Sequence, residues 1–252
     1  MIIIKNKLAI SKMQEAGKRL ASLFLALPSV VRVGVTTQMI DDWIAGKLQE
    51  CQMVSKTKGY CGYKHVSCIS INDEVVHGVP TKKRVLKDGD LAKIDICASY
   101  DGYCADMARP FFVGESSSVQ VVKLVEVAKQ ALDNGITQAT VNNRLYDISA
   151  AIQAEIEKHG FGVVRDFAGH GIGKSMHEQP TVPNYGVLGK GIRLQHGMAL
   201  AIEPMITAGS YQVRIDKSDG WTVRTVDGQL AAHVEDTVII LDDGPCITTR
   251  IV

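Results

Sequence analysis

Apolar residues recur at helical spacing in four segments of the chain, and we predict one helix from each. In the first half, the pattern covers residues 10–27 and stops at Pro28. A second helical pattern begins near Thr36-Thr37 and carries Ile40, Trp43, Ile44 and Leu48 on one face. The first half therefore begins with two helices.

The second half repeats this order. The pattern Ser117-x-x-Gln120 is a capping box and predicts the start of a third helix. Gly135 is positioned to end that helix, since glycine readily adopts the left-handed conformation found after helix C-termini. A fourth helical pattern follows and ends at Gly160.

Strand-like runs follow each pair of helices. Two Asp-Gly pairs, Asp101-Gly102 and Asp227-Gly228, lie between strand formers and predict β-hairpins. The predicted strand regions are 66–71 and 91–112 in the first half, and 163–167, 198–207, 221–226 and 230–241 in the second.

The hairpin around Asp101-Gly102 brings two carboxylates onto one face. Counting from a two-residue loop pairs Cys97 with Asp106, and side-chain alternation then places Asp95 on the same face as Asp106. Half-buried anions repel each other and lose hydration, so a cation must compensate them. From the hairpin alone, a salt bridge to Lys93 or Arg109 and a pair of metal ions fit this requirement equally well.

The two halves also share a spaced motif. Gly89 is followed six residues later by Asp95, and Gly197 is followed six residues later by Glu203. We interpret this as a degenerate duplication, in which Asp95 and Glu203 are equivalent about a pseudo-twofold axis. The chain is then a single α+β domain with halves of about 10–115 and 116–252, and no linker divides them.

Composition narrows the class of protein. Apolar content of 46% and charged content of 22% are typical of a globular protein, and a net charge of +1 does not favour nucleic acid or a membrane as partner. The six cysteines include no C-x-x-C pair, which argues against a zinc knuckle and fits free thiols in a reducing compartment. The N-terminus lacks a signal-peptide pattern, so we expect a cytoplasmic protein.

Four more residues have side chains that can bind a metal or transfer a proton, and most of them lie at predicted strand ends or in glycine-rich loops. His77 precedes Gly78, and His170 lies within Gly-His-Gly. Glu203 lies in Ala-Ile-Glu-Pro-Met, and Glu235 lies within a predicted strand. Taken with the two aspartates, this set suits a pair of divalent metals bridged by carboxylates.

These motifs together resemble the type I methionine aminopeptidases, which have the pita-bread metallopeptidase fold. The resemblance runs from about Ile10 to the C-terminus. It implies two pseudo-twofold-related ααββ halves around a central antiparallel sheet, and hydrolytic removal of the initiator methionine from new polypeptides. The motifs that carry it are CISINDEVVHGVP, KDGDLAKIDI, AD-x-x-R-P-F, GHGIGKSMHEQP, AIEPM, DGWTVRT and the strand that contains Glu235.

The resemblance also implies a role for each matching residue. Asp95 would bind one metal ion, Asp106 and Glu235 would bridge two, and His170 and Glu203 would hold the second. His77 and His177 would contact the substrate's amide and carbonyl groups, and Glu203 would move a proton. The pocket for the methionine side chain would use Tyr60, Tyr63, Cys68, Met176 and Trp221. Counting along the second Asp-Gly hairpin places Trp221 opposite Val234.

Three positions depart from the family pattern. Cys104-Ala105 replaces a small polar pair that often contains His, Asp236 replaces a common His, and Cys61 stands where His is common. These residues neighbour the implied ligands, and such neighbours change metal affinity or activity by about 10- to 100-fold. The ion itself could be Co, Mn, Fe or Zn, since carboxylate sites with one His accept them all.

Two other functions share parts of this sequence pattern. A prolidase or aminopeptidase P shares the implied metal ligands but usually carries a long extra N-terminal domain. A binding protein of the same fold that has lost catalysis would lack ligands, and all five are present. The expected partners are N-termini of nascent polypeptides and the ribosome surface, with no specific nucleic acid and no membrane, and we expect a monomer.

Overall fold

A computed structural model describes residues 1–115 and 118–251 of the chain. The described part contains the four helices α1 (Lys7–Ala26), α2 (Thr37–Glu50), α3 (Val119–Thr137) and α4 (Leu145–Lys158). Side chains of Asn6, Thr36 and Ser118 cap the first three by accepting a backbone N–H. The predicted cap Ser117 lies outside the described residues. No helix in the described ranges is both long and apolar enough to cross a membrane.

The predicted helix end at Gly135 is wrong. Helix α3 continues to Thr137, and Gly135 lies inside it. A Cβ atom at this position would lie 2.7 Å from the Ile152 side chain on α4, so the glycine permits close packing of the two helices. Gly160 does follow α4 in the left-handed conformation, with φ of 74°, as predicted.

In residues 1–115 and 118–251, the strands form four antiparallel sheets. Strands β1 to β4 form one sheet in which β3 is central, and β14-β13-β8-β6-β7 form another. The smaller sheets are β12-β9-β5 and β10-β11. The strand bounds are β1 Val54–Ser55, β2 Cys68–Ile71, β3 Leu91–Tyr100, β4 Tyr103–Phe112, β5 Gly162–Val163, β6 Gly169–Gly171, β7 Glu178–Val182, β8 Ala199–Ile202, β9 Met205–Thr207, β10 Val213–Ile215, β11 Val223–Thr225, β12 Ala231–His233, β13 Asp236–Leu241 and β14 Gly244–Ile247.

The first Asp-Gly hairpin forms with the predicted register. Cys97 pairs with Asp106 and Asp95 pairs with Ala108 across β3 and β4. The two loop residues Asp101 and Gly102 both have positive φ, of 46° and 79°. This is the backbone that a two-residue hairpin of matching twist requires.

The second predicted hairpin is wrong. Strand β11 pairs with β10, and β12 pairs with β9, so Trp221 does not lie opposite Val234. The Asp227 carboxylate instead accepts backbone N–H groups from Ser210 and Gln229, at 2.7 and 3.0 Å. The side chain thus stabilises a loop between two different sheets.

The predicted strand over 198–207 is interrupted. Glu203 and Pro204 separate β8 from β9, and the two parts join different sheets. Proline has no N–H to donate to a sheet, which fits a break at this point. Glu203 therefore stands at a strand end, where its side chain faces the junction of sheets.

The two large sheets meet at β4 and β13. Ala108 and Glu235 form an isolated antiparallel bridge, with N···O distances of 3.0 and 3.4 Å. Helices α1 and α2 pack on the first large sheet through residues such as Leu20 and Ile40. Helices α3 and α4 pack on the second half, where Ile148 is among the buried residues.

The arrangement of strands in the two halves is similar. Gly89 and Gly197 both have positive φ, of 86° and 82°, and each precedes a strand with a partner on both sides. Strand β3 lies between β2 and β4, and β8 lies between β6 and β13. Descent of the halves from one duplicated unit stays a prediction.

Candidate active site

Three carboxylates converge where the two large sheets meet. Asp95 and Asp106 lie diagonally on one face of the β3–β4 hairpin. The bridge between Ala108 and Glu235 adds the third carboxylate from the other sheet. Asp106 and Glu235 are only 4% and 2% exposed, so solvent cannot screen their charges.

His170 and Glu203 join this group from neighbouring strands. His170 lies in β6 and pairs with Ala201 of β8, the strand that ends beside Glu203. His170 Nε2 lies 3.8 Å from Asp106 Oδ2 and 3.6 Å from Glu203 Oε1. The other ring nitrogen, Nδ1, lies 3.0 Å from the Gly171 carbonyl, which fixes Nδ1 as the donor and leaves Nε2 free to bind a cation.

Neither candidate salt bridge neutralises the carboxylates. Lys93 Nζ donates to the Asn72 carbonyl at 2.8 Å. Arg109 donates to the Glu235 carbonyl and to Asp236 Oδ1, both at 2.5 Å. The structure therefore excludes the salt-bridge interpretation that the hairpin left open.

The same side chains fit a divalent cation. Ligand atoms of Asp106, His170 and Glu235 all lie within 4.8 Å of one another. Asp106 Oδ1 and Glu235 Oε1 are buried, and no hydrogen-bond partner for either lies among the described residues. Buried carboxylate oxygens rarely stay unpaired, and oxygen with imidazole nitrogen is a donor set that divalent transition metals accept.

The pKa values of the carboxyl groups also indicate a cation site. Burial, followed by the charge of Glu203, raises the pKa of Asp106 from 3.8 to about 7. Burial raises the pKa of Glu203 from 4.5 to about 8. Burial and neighbouring carboxylates also raise the pKa values of Asp95 and Glu235 well above their usual range. The raised pKa values favour protonation of these carboxyl groups, and a bound cation would displace such protons.

Two further histidines lie at the edge of the carboxylate cluster. His77 has φ of 58°, and its ring packs edge-on to Phe167 with centroids 5.5 Å apart. His177 is exposed, and its Nδ1 lies 2.8 Å from the Tyr60 hydroxyl. Its ring centroid is 4.4 Å from that of His170. Burial lowers the pKa of His77 to about 4, so this ring is neutral at pH 7.

An apolar slot adjoins these groups. Trp221 and Tyr63 pack edge-to-face with ring centroids 5.0 Å apart. The Tyr63 hydroxyl donates to the carbonyls of Ser67 and Gly78, so its polar end is satisfied within the protein. Trp221 reaches this slot although its predicted strand pairing is wrong.

All twelve predicted site residues line one cavity of about 100 Å³, together with Thr57 and Cys97. The twelve are Tyr60, Tyr63, Cys68, His77, Asp95, Asp106, His170, Met176, His177, Glu203, Trp221 and Glu235. The cavity therefore has an anionic floor, two histidines at its rim and an apolar wall.

Sequence reasoning missed His233. This buried residue ends β12, and its Nε2 lies 3.3 Å from Glu203 Oε2 without a well-directed hydrogen bond. Its position two residues before Glu235 was the available signal, because strand alternation places such residues on one face. His170 and His233 thus stand on either side of the Glu203 carboxylate.

The three departures from the family pattern have definite surroundings. Asp236 is buried and binds Arg109, Arg250 and Thr249. The Cys104 thiol lies 3.5 Å from the Lys174 carbonyl, and Cys61 is exposed. All six cysteines are free thiols.

Known proteins are similar to this chain along almost its whole length. A profile of metallopeptidase family M24 matches residues 11–242. A methionine aminopeptidase from Clostridium acetobutylicum is 48% identical over 99% of both chains. The crystal structure of a methionine aminopeptidase from Thermotoga maritima has a TM-score of 0.96, at 40% identity over 100% of both chains.

A prolidase from Pyrococcus furiosus has a TM-score of 0.78 at 21% identity, and this chain covers 66% of its length. Similarity at that level shows the shared pita-bread fold alone. Identity of 40–48% over whole chains is found with the methionine aminopeptidases. The chain therefore belongs to the methionine aminopeptidases of metallopeptidase family M24.

Proposed function

We propose that this protein hydrolyses the first peptide bond of polypeptides that begin with methionine and have a small second residue. The observation that carries the proposal is the joining of a buried carboxylate cluster and an apolar slot in one cavity. The substrates we expect are nascent polypeptide N-termini, in the cytoplasm and near the ribosome surface.

We infer that the cluster binds two divalent ions. Asp95 would hold one, Asp106 and Glu235 would bridge both, and His170 and Glu203 would hold the other. Ions held by these residues would polarise a scissile carbonyl and lower the pKa of water, which would make hydroxide available near neutral pH. Co, Mn, Fe and Zn all suit the donor set.

Glu203 is the group best placed to move a proton. Its carboxylate stands at the edge of the cluster, with Oε1 near His170 and Oε2 near His233. A proton taken from the attacking water by one carboxylate oxygen can pass to the departing amine. General acid–base transfer of this kind contributes about 10²–10⁴-fold to a rate.

The rim histidines would orient the peptide. At pH 7 His77 is neutral, and burial also lowers the pKa of His177, so each ring offers one N–H donor. When the Tyr60 hydroxyl donates to His177 Nδ1, the proton resides on Nε2, which can donate to a substrate carbonyl. Two rings closing on the scissile bond leave little room beyond the first residue.

The slot would select the first residue. Tyr63, Cys68, Met176 and Trp221 offer a soft apolar surface for a thioether. An apolar slot discriminates a missing methylene by only about 1–3 kcal/mol, so norleucine should replace methionine tolerably. A charged first residue should be rejected.

A peptide panel tests the proposal. The metal-loaded protein is assayed with Met-X-Gly, where X is Ala, Gly, Ser, Leu or Arg, and with peptides that begin with norleucine or Glu. We expect high kcat/KM for small X and low kcat/KM for Leu and Arg. Equal values for Ala and Leu would contradict the steric limit, and faster release of Glu than of methionine would contradict the assigned substrate.

A further inference from the structure

The N-terminal segment, residues 1–6, lies against the second half of the protein. The Lys5 backbone N–H donates to the Gly197 carbonyl at 2.8 Å, just before β8 begins. A Cβ atom on Gly197 would lie 2.6 Å from the Lys5 carbonyl oxygen, so the glycine allows this close approach. The segment therefore reaches the part of the fold that carries the site.

The Lys5 side chain is buried in an ion pair. Its Nζ lies 2.6 Å from Glu178 Oε2 and donates to the Ile3 carbonyl at 2.9 Å. The two side chains are 3% and 7% exposed. Charges so far from water are strongly unfavourable without each other, so each side chain holds the other in place.

Glu178 in turn supports the loop of residues 173–178, here called the His177 loop. Its Oε1 accepts the Ser175 backbone N–H at 3.3 Å. A Cβ atom at Gly173 would lie 2.5 Å from Glu178 Oε1 and 2.7 Å from Lys5 Cε. The loop is therefore folded directly onto the ion pair.

This loop delivers two residues to the cavity. Met176 and His177 both line it, and His177 also bonds to Tyr60. Within the described part of the chain, His177 contacts the Tyr60 hydroxyl and the His170 ring and takes part in no ion pair. The position of both residues depends on the loop beneath them.

We propose that Lys5 is a positioning residue that holds the His177 loop through Glu178. This rests on the proposed function insofar as the loop binds substrate. The N-terminal segment then supports the substrate site, although none of residues 1–6 lines the cavity. Loss of the ion pair loosens Met176 and His177 while the metal ligands, on other elements, keep their geometry.

The test uses the double variant Lys5→Met/Glu178→Gln in the full, metal-loaded chain. It removes the ion pair without leaving an unpaired buried charge. We expect faster amide hydrogen exchange across residues 173–178, and a kcat/KM for Met-Ala-Gly that falls by up to about 10²-fold through misplacement of substrate-contacting groups. Metal affinity, measured by calorimetry, should stay at the wild-type value.

Two variants serve as controls. Glu178→Gln alone leaves the buried Lys5 ammonium without a carboxylate partner, so it should speed exchange of the His177 loop at least as much as the double variant does. Lys12→Met removes the exposed Lys12–Asp101 pair, which spans 2.8 Å with side chains 31% and 60% exposed. It should change neither exchange of the His177 loop nor kcat/KM.

The proposal is overturned if the double variant exchanges the amides of the His177 loop at the wild-type rate and has the wild-type kcat/KM. Faster exchange throughout the chain or loss of the fold would also overturn it, because the ion pair would then be a general structural contact. If the wild-type protein releases no methionine, the proposed function fails. Exchange of the His177 loop still measures the ion pair's effect in that case.

Discussion

The backbone of Asp106 is bonded to the side chain of Thr237 in both directions. The Asp106 N–H donates to Thr237 Oγ1 at 2.8 Å, and the Thr237 hydroxyl donates to the Asp106 carbonyl at 2.9 Å. These residues are 131 positions apart, and Thr237 follows Glu235 by two residues. This pair of bonds fixes the separation of the two proposed bridging carboxylates.

Thr237→Val should weaken both the fold and the metal site. The variant keeps the side chain's shape but leaves a buried N–H unpaired, which costs about 1–3 kcal/mol of unfolding free energy. Loss of the partners that orient ligands typically lowers metal affinity by about 10- to 100-fold. Denaturant unfolding and calorimetric titration with Mn²⁺ measure the two effects.

Thr248→Val is the matched control. The buried Thr248 hydroxyl donates to the Thr237 carbonyl at 3.1 Å, so this variant also loses a bond at Thr237. It leaves the bonds to Asp106 intact and should spare metal affinity. Equal loss of affinity in both variants would show that the Asp106–Thr237 bonds have no special role.

The metal-free protein should lose stability as pH rises from about 6.5 to 8. Asp106 and Glu203 have pKa values raised to about 7 and 8, so the folded state holds more protons than the unfolded state in this window. Stability then falls with rising pH. The buried histidines have lowered pKa values and contribute the opposite slope, but only below about pH 6.5.

Thermal melts of chelator-treated protein at pH 6.5, 7.0, 7.5 and 8.0 check this slope. Asp106→Asn carries no titrating carboxyl at that position, so its melting temperature should fall less steeply with rising pH. A melting temperature that is constant or rises across this range would contradict the assigned electrostatics of the cluster.

His77→Ala should lower kcat and leave metal affinity unchanged. His77 lines the cavity but lies outside the group of close ligand atoms, so it should act on the substrate. Removal of an acid–base or electrostatic group typically costs about 10²–10⁴-fold in rate. Steady-state kinetics and metal titration of the same sample separate the two roles, and a loss of bound metal would make His77 a ligand.

Local chemistry explains which parts of the fold were predictable. The β3–β4 hairpin was predicted to the residue because both of its strands and its turn are contiguous. The Asp227-Gly228 hairpin failed because β11 finds its partner in β10, and β12 finds its partner in β9. Gly135 failed as a helix end because its role is to admit Ile152, a contact that no local pattern reveals.

The residues of the site also differ in how far local sequence could predict them. Residue patterns placed Asp95 and Asp106 on one face and selected four more candidates, and motif resemblance supplied the remaining members of the cavity. The four candidates are His77, His170, Glu203 and Glu235. His233 escaped notice because it matches no spaced ligand motif, and only the fold brings it beside Glu203. The role of Lys5 could not be predicted from the sequence, because its partner Glu178 lies 173 residues away.

Metal content measured alongside peptide turnover tests the central claim most directly. One purified batch is stripped of metal and reconstituted stepwise with Mn²⁺, and separately with Co²⁺, Fe²⁺ and Zn²⁺. Bound ions per chain are counted by mass spectrometry, and methionine release from Met-Ala-Gly is assayed on the same samples.

We predict no release by the stripped protein and maximal release when two ions are bound per chain. Asp106→Asn and Glu235→Gln should stay folded by circular dichroism and release no methionine at any metal content, because an amide cannot supply the bridging charge. Methionine release by metal-free protein, or near-normal release by either variant, would contradict the account.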